Sequence, residues 1–235
     1  MVLTLFFLEN SRAFRVLWLA KELNVPIQVR NYPRLEGKKA VPEMARDSGY
    51  KLGKSPCLIE DDHDGKGEVL KVVESGNCMQ YLVERFQPES NLLPPPKFLR
   101  ARTAVIGWID FSETLMLHAL AIVYPDWFGR PGDESAINNI KERCSANVCK
   151  DLDEVEDALQ GKGPYLCGEV FTAADIAVAF SAEYVLVKKI GLQGKENAFP
   201  SIKGWLRKIE ARPAYQETMK DGAKHDFCLL KQSSI

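Results

Sequence analysis

Pro94-Pro95-Pro96 divides this chain into two unlike parts. Three consecutive prolines supply no backbone N–H and hold φ near one value, so neither a helix nor a sheet ladder runs through them. Upstream, short β-prone runs alternate with helical patterns. Downstream, every periodic stretch is helical. The sequence therefore predicts an α+β chain with a mixed domain over residues 1–86, a Pro-rich linker over 87–97 and an all-helical domain over 98–235.

In the first part, Met1 to Leu8 reads as a buried strand. Arg12 to Leu23 has helical spacing, with Ala13, Val16, Leu17, Ala20 and Leu23 on one face, and ends before Pro26. Ile27 to Tyr32 alternates as a second strand, and a short helix is expected near Pro42 to Arg46. Cys57 to Glu60 and Val69 to Val73 form a hairpin across an acidic, Gly-containing loop, and a helix then runs from Glu74-Ser75 to about Phe86. The order is β-α-β-α-β-β-α, the thioredoxin-like arrangement. In the second part, helices are expected over Leu99 to about Val123, Glu134 to Leu159, Thr172 to Ile190 and Pro200 to Arg212, with a last short helix opened by Pro213. Pro125 to Gly132 reads as an aromatic loop. Thr172 to Ile190 is apolar on nearly all sides and should be a central buried helix.

Composition narrows the function. A net charge of -1 points neither to nucleic acid nor to an anionic membrane surface, though local basic residues could serve a small anion. The runs Val2 to Leu8 and Ala119 to Tyr124 are too short to span a bilayer, and the N-terminus lacks the basic region and cleavage site of a signal peptide. The six cysteines (Cys57, Cys78, Cys144, Cys149, Cys167 and Cys228) are scattered and form no CxxC pair, so they read as reduced thiols of a cytoplasmic protein, with no metal site. The three histidines, His63, His118 and His225, lack a Ser or Cys partner pattern, and His118 reads as a packing residue. There is no G-x-S-x-G and no Gly-rich phosphate loop.

Four short stretches carry chemistry. Ser11, in Asn10-Ser11-Arg12-Ala13-Phe14-Arg15, opens the first helix, either as a plain N-cap or as a hydroxyl aimed at an anion there. In Gly53-Lys54-Ser55-Pro56 a proline stands at a strand entrance, marking either an ordinary turn or a cis bond that turns the Ser55 backbone outward. Glu74-Ser75 precedes a helix and suits either a cap or the zwitterionic end of an amino acid, with Ser75 on the carboxylate and Glu74 on the ammonium. Thr172-Ala173-Ala174-Asp175 is a capping box in its Asp form.

Taken together, these stretches resemble the glutathione transferases over nearly the whole chain. Ser11 to Arg15 with Leu17-Trp18-Leu19 is similar to the start of the fungal GTT-type enzymes and of bacterial relatives. The resemblance implies a glutathione transferase that conjugates glutathione, its co-substrate, to hydrophobic electrophiles in detoxification, with a side activity on organic peroxides and no other cofactor. It implies Ser11 as the partner of the glutathione sulfur, with Asn10 as the alternative because some fungal relatives are thought to use Asn. Ser55 would pair through its backbone with the cysteinyl part, and Glu74 and Ser75 would hold the γ-glutamyl end. Lys54 and Lys39 would meet the glycine carboxylate. Trp108, Phe111 and Leu115 would face the electrophile, or else belong to the core of the helical domain. A homodimer is implied as well. Two other readings compete. A thiol–disulfide reductase needs a Cys at the first helix, and the first Cys in the chain is Cys57. A non-catalytic carrier that keeps the fold is the other alternative.

Overall fold

The computed structural model describes residues 2–61, 65–161, 163–195 and 197–232. His63 lies outside them. The first elements in chain order are β1 (Val2–Leu8), α1 (Ala13–Glu22), β2 (Gln28–Tyr32), α2 (Pro42–Ser48), β3 (Cys57–Asp61), β4 (Leu70–Val73) and α3 (Ser75–Phe86). They are followed by α4 (Leu99–Phe128), α5 (Glu134–Gly161), α6 (Ala173–Val187), α7 (Pro200–Glu210) and α8 (Pro213–Asp221).

The chain forms two compact units that are not simply its first and second parts. The first comprises Met1–Pro95 and Ala211–Asp226; the second comprises Pro96–Glu210 and Phe227–Ile235. The change at Pro95–Pro96 falls within the triple proline. Ala211–Asp226, which the sequence reading assigned to the helical domain, clusters with the first unit instead.

In the first unit the strands lie in the order β2-β1-β3-β4. β1 runs parallel to β2, with Thr4 opposite Gln28, and antiparallel to β3, with Leu5 opposite Leu58. β3 and β4 complete the antiparallel hairpin. β1 is central, and Leu3 through Leu8 are all buried, as expected of a strand that is apolar except for Thr4. Buried α1 residues pack on β1 and also against α8. Trp18 and Tyr215 meet edge to face at 4.9 Å, with Phe14 beside both. Arg212, the N-cap of α8, grips the carboxylate of Glu22 at the end of α1 with two hydrogen bonds of 2.6 and 2.7 Å. This buried apolar face and its bidentate ion pair explain why residues 211–226 belong here rather than with the other late helices.

In the second unit α6 is buried almost throughout, and α4 packs along both α5 and α6. α4 runs to Phe128, through Pro125, so residues 125–128 are helical rather than loop. Pro125 lacks an N–H and crowds the preceding turn, but the turn after it is closed by the Gly129 N–H on the Pro125 carbonyl at 2.8 Å. Lys141 of α5 adds an ion pair to Asp126 at 2.9 Å. The segment Pro96–Phe128 is long and apolar enough to cross a membrane by length and composition. Its apolar side is used within this unit: Val105, Ile109, Leu115, Met116, Ala119 and Ile122 are buried in the unit's core.

The Thr172 capping box closes the start of α6. Asp175 is fully buried and also accepts the Leu166 N–H at 3.0 Å and the Trp205 indole N–H at 3.0 Å. Burial pushes its carboxyl up, against the pull of these hydrogen bonds.

Candidate active site

Ser11 stands where β1 gives way to α1. The turn that carries it is held from several sides. Asn10 adopts φ 50°, a left-handed conformation that Asn tolerates better than most residues. The Asn10 N–H donates to the Lys224 carbonyl at 2.8 Å. Its side-chain amide donates to Asp226 at 3.1 Å and its side-chain carbonyl accepts the Asp226 N–H at 2.9 Å. Arg34 reaches in from beyond β2 and donates to the carbonyls of Glu9 at 2.8 Å and Asn10 at 3.3 Å.

The Ser11 hydroxyl is buried and does not cap the helix conventionally. The N-cap is Arg12, and Ser11 Oγ accepts the Ala13 N–H at 3.3 Å. Its other contact is Ser55 Oγ at 3.1 Å. The Ser55–Pro56 peptide is cis. Ser55 Oγ donates to the Phe6 carbonyl at 3.0 Å and accepts the Leu8 N–H at 3.1 Å. Two of the expected glutathione contacts, 44 residues apart in sequence, thus touch through their side chains.

At the start of α3, Glu74 is the N-cap and Ser75 the first helical residue, and no side-chain capping bond is made. Glu74 has φ 66°, outside the usual range for a non-glycine residue, and its side chain is exposed. Ser75 is buried, and its hydroxyl oxygen accepts Arg15 Nη1 at 3.0 Å. Arg15, itself 1% exposed, therefore fixes the position of Ser75 from α1. With its oxygen occupied by a cation, the Ser75 hydroxyl keeps its proton to donate, next to the N–H groups of a helix start. Lys39 and Lys54 are exposed, and among the described residues their side chains make no ion pair.

Cys57 follows the cis bond directly and is fully buried, and burial pushes its thiol up. A buried, protonated thiol is a poor nucleophile. All six cysteines are free.

The second unit holds the three expected electrophile contacts on α4. Trp108 and Phe111 are half-buried and meet edge to face at 5.1 Å. Leu115 is fully buried and packs in the core. His118 makes a 2.6 Å contact from Nδ1 to Asp151 of α5, and His225 stacks on Phe14 in the first unit.

Sequence reasoning gave no site role to Arg15, Arg34, Ser55's side chain or Asp226. Arg15 lies three residues before Trp18 on a helix face that is otherwise apolar. A lone Arg among core positions is a signal, because a buried guanidinium needs partners. Nothing local marks Arg34 or Asp226, whose bonds to the Asn10 turn span 24 and 216 residues.

Residues 1–84 match the glutathione S-transferase N-terminal domain family and residues 131–213 match the glutathione S-transferase C-terminal domain family. The chain is 27% identical over 227 residues to glutathione S-transferase 3 of Schizosaccharomyces pombe, covering 91% of this chain and 85% of that protein. It is 26% identical over 224 residues to glutathione S-transferase 1 of Saccharomyces cerevisiae, covering 91% and 92%. Among solved structures, a glutathione S-transferase from Actinobacillus pleuropneumoniae superposes with a TM-score of 0.75 at 27% identity, over 94% of each chain. With both of its domains matched in order and its fold shared along nearly its whole length, this chain belongs to the glutathione S-transferase family.

Proposed function

We propose that this protein is an enzyme that binds glutathione in its first unit, ionises the thiol and conjugates the thiolate to hydrophobic electrophiles. The observation that carries the reading is the start of α3. Glu74 and Ser75 are not spent on capping their own helix, and Arg15 leaves Ser75 a proton to donate. This suits the γ-glutamyl end of glutathione, whose carboxylate would take the Ser75 hydroxyl and the helix N–H groups while its ammonium meets Glu74. The Ser55 backbone would pair with the cysteinyl part, and Lys54 and Lys39 with the glycine carboxylate.

Ser11 is the hydroxyl assigned to the glutathione sulfur. A hydrogen bond to the thiolate stabilises it over the thiol, so the proton leaves to solvent nearer neutral pH. The thiolate then forms a C–S bond with the electrophile, and the leaving group departs with its electron pair. Trp108 and Phe111 supply an apolar surface for the electrophile, with Leu115 supporting them from the core. The same thiolate can attack the O–O bond of an organic hydroperoxide. This releases the alcohol and leaves a sulfenic acid, which a second glutathione resolves to disulfide and water. The reaction needs no cofactor besides glutathione. We assign the protein to the cytoplasm as a homodimer acting in detoxification.

The test is the ultraviolet absorbance of the glutathione thiolate, titrated with pH on wild type, Ser11→Ala and Asn10→Ala. Ser11→Ala is expected to raise the pKa of bound glutathione by about one unit or more, about 1.4 kcal/mol. A shift with Asn10→Ala instead moves the donor role by one residue. Wild-type protein that binds glutathione without lowering its pKa is a non-catalytic carrier.

A further inference from the structure

The direction of the Ser11–Ser55 hydrogen bond follows from the other bonds of Ser55. A serine hydroxyl has one proton and two lone pairs. Ser55 Oγ lies 3.0 Å from the Phe6 carbonyl, which can only accept, so the Ser55 proton is spent there. One lone pair of Ser55 takes the Leu8 N–H at 3.1 Å. The remaining contact, 3.1 Å to Ser11 Oγ, is satisfied only if Ser11 donates. Ser11 in turn accepts the Ala13 N–H. The chain of bonds therefore has one consistent direction, from Ser11 through Ser55 to Phe6.

We infer that the Ser55 side chain restrains thiol activation: its oxygen holds the Ser11 proton, and the glutathione sulfur must draw that proton away from it. This rests on the reading of Ser11 as the thiol's donor, and it gives the Ser55 side chain a role separate from its backbone pairing with glutathione. Ser55 aims the Ser11 hydroxyl in one direction and makes its transfer to sulfur an exchange of one hydrogen bond for another. The gain in thiolate is the difference between the two bonds rather than the whole of the second. A residue of similar size without a hydroxyl would leave the Ser11 proton with no competing acceptor there.

The experiment compares Ser55→Thr, Ser55→Val and Ser55→Ala by titrating the bound glutathione thiolate. Glutathione affinity is measured alongside to verify that the backbone contact survives. Thr and Val have the same shape and differ only in the hydroxyl, so this pair decides the matter if the Ala variant folds poorly. Ser55→Val is expected to lower the pKa of bound glutathione by about half a unit to one unit. Ser55→Thr is expected to restore the wild-type value. In a Ser11→Ala background the Thr and Val variants should give the same pKa. If Val and Thr titrate alike while Ser11→Ala still shifts the pKa, the role of the Ser55 side chain is overturned and Ser11 stands. An equal or higher pKa in Val than in Thr overturns it too. If Ser11→Ala leaves the pKa unchanged, both readings fall together.

Discussion

Asn10 and Asp226 hydrogen-bond to each other in both directions, side chain to side chain at 3.1 Å and backbone N–H to side-chain carbonyl at 2.9 Å. The pair fastens the segment after α8 to the turn that presents Ser11. One amide hydrogen and the carbonyl of Asn10 are thereby used structurally. Asn10→Ala should destabilise the protein by about 2 kcal/mol, from two lost hydrogen bonds and a left-handed backbone that Ala adopts less readily. Denaturant unfolding measures this. The pKa of bound glutathione should stay at its wild-type value in the same variant.

Arg15 holds Ser75 in place from α1. Replacing it by Met keeps most of the buried volume but removes the cation that holds the Ser75 oxygen. Arg15→Met should weaken glutathione binding about tenfold. The pKa of the glutathione that does bind should be unchanged, because Ser11 is untouched. Isothermal titration and the thiolate spectrum separate the two effects, and an equal change in both would place Arg15 in a different role.

Glu156 of α5 caps a helix that is not its own. Its two carboxylate oxygens accept the Ser201 N–H at 2.8 Å and the Ile202 N–H at 2.9 Å at the start of α7. Burial works against the charge, but the N–H groups of Ile202 and Ser201 prevail and hold the carboxyl below its usual range. A carboxylate with a lowered native pKa stabilises the fold above its unfolded pKa, and that contribution is lost as pH falls through the native one. Glu156→Ala should cost about 2 kcal/mol at neutral pH and less in acid. Thermal melts of both proteins from neutral pH into the acid range test this.

Glu210 has the opposite sign. It is fully buried at the end of α7 and accepts the N–H groups of Leu229 at 2.8 Å and Leu230 at 2.7 Å. Burial, with the charge of Glu183 behind it, raises its carboxyl from 4.5 to about 8, against the lowering effect of the hydrogen bonds from Leu229, Leu230 and the Cys228 thiol. Between those two values the unfolded chain has released a proton that the native protein still holds, so stability falls as pH rises and levels off above about 8. Glu210→Gln should flatten this slope. Unfolding free energies between pH 5 and pH 9 on both proteins measure it.

The fold was legible where its signals are local. Apolar period and cap residues located α1, α3, α6 and the β3–β4 hairpin to within a few residues, and the Thr172 capping box forms as its spacing requires. The end of α4 was misread because Pro125 is a breaker in general, whereas here the last turn is held by an ion pair from a neighbouring helix. The destination of α8 was not legible at all. A short amphipathic helix declares that it has a buried face, not which partner covers it. For the site, the sequence marks the candidate residue types at the two helix starts, since helix N-termini favour anions whatever the tertiary context. The direction of the Ser11–Ser55 bond could not be read, because it depends on what the Phe6 carbonyl and Leu8 N–H need once β1 is in the sheet.

The return of residues 211–226 to the first unit also orders events during synthesis. Phe14 and Trp18 emerge from the ribosome early, but Tyr215, which covers them, is made only after the second unit's helices. At ordinary elongation speeds the delay is on the order of ten seconds. Throughout it the nascent chain carries an uncovered aromatic face on α1, a natural stopping place for chaperones. A fragment cut at the triple proline would keep that face uncovered permanently.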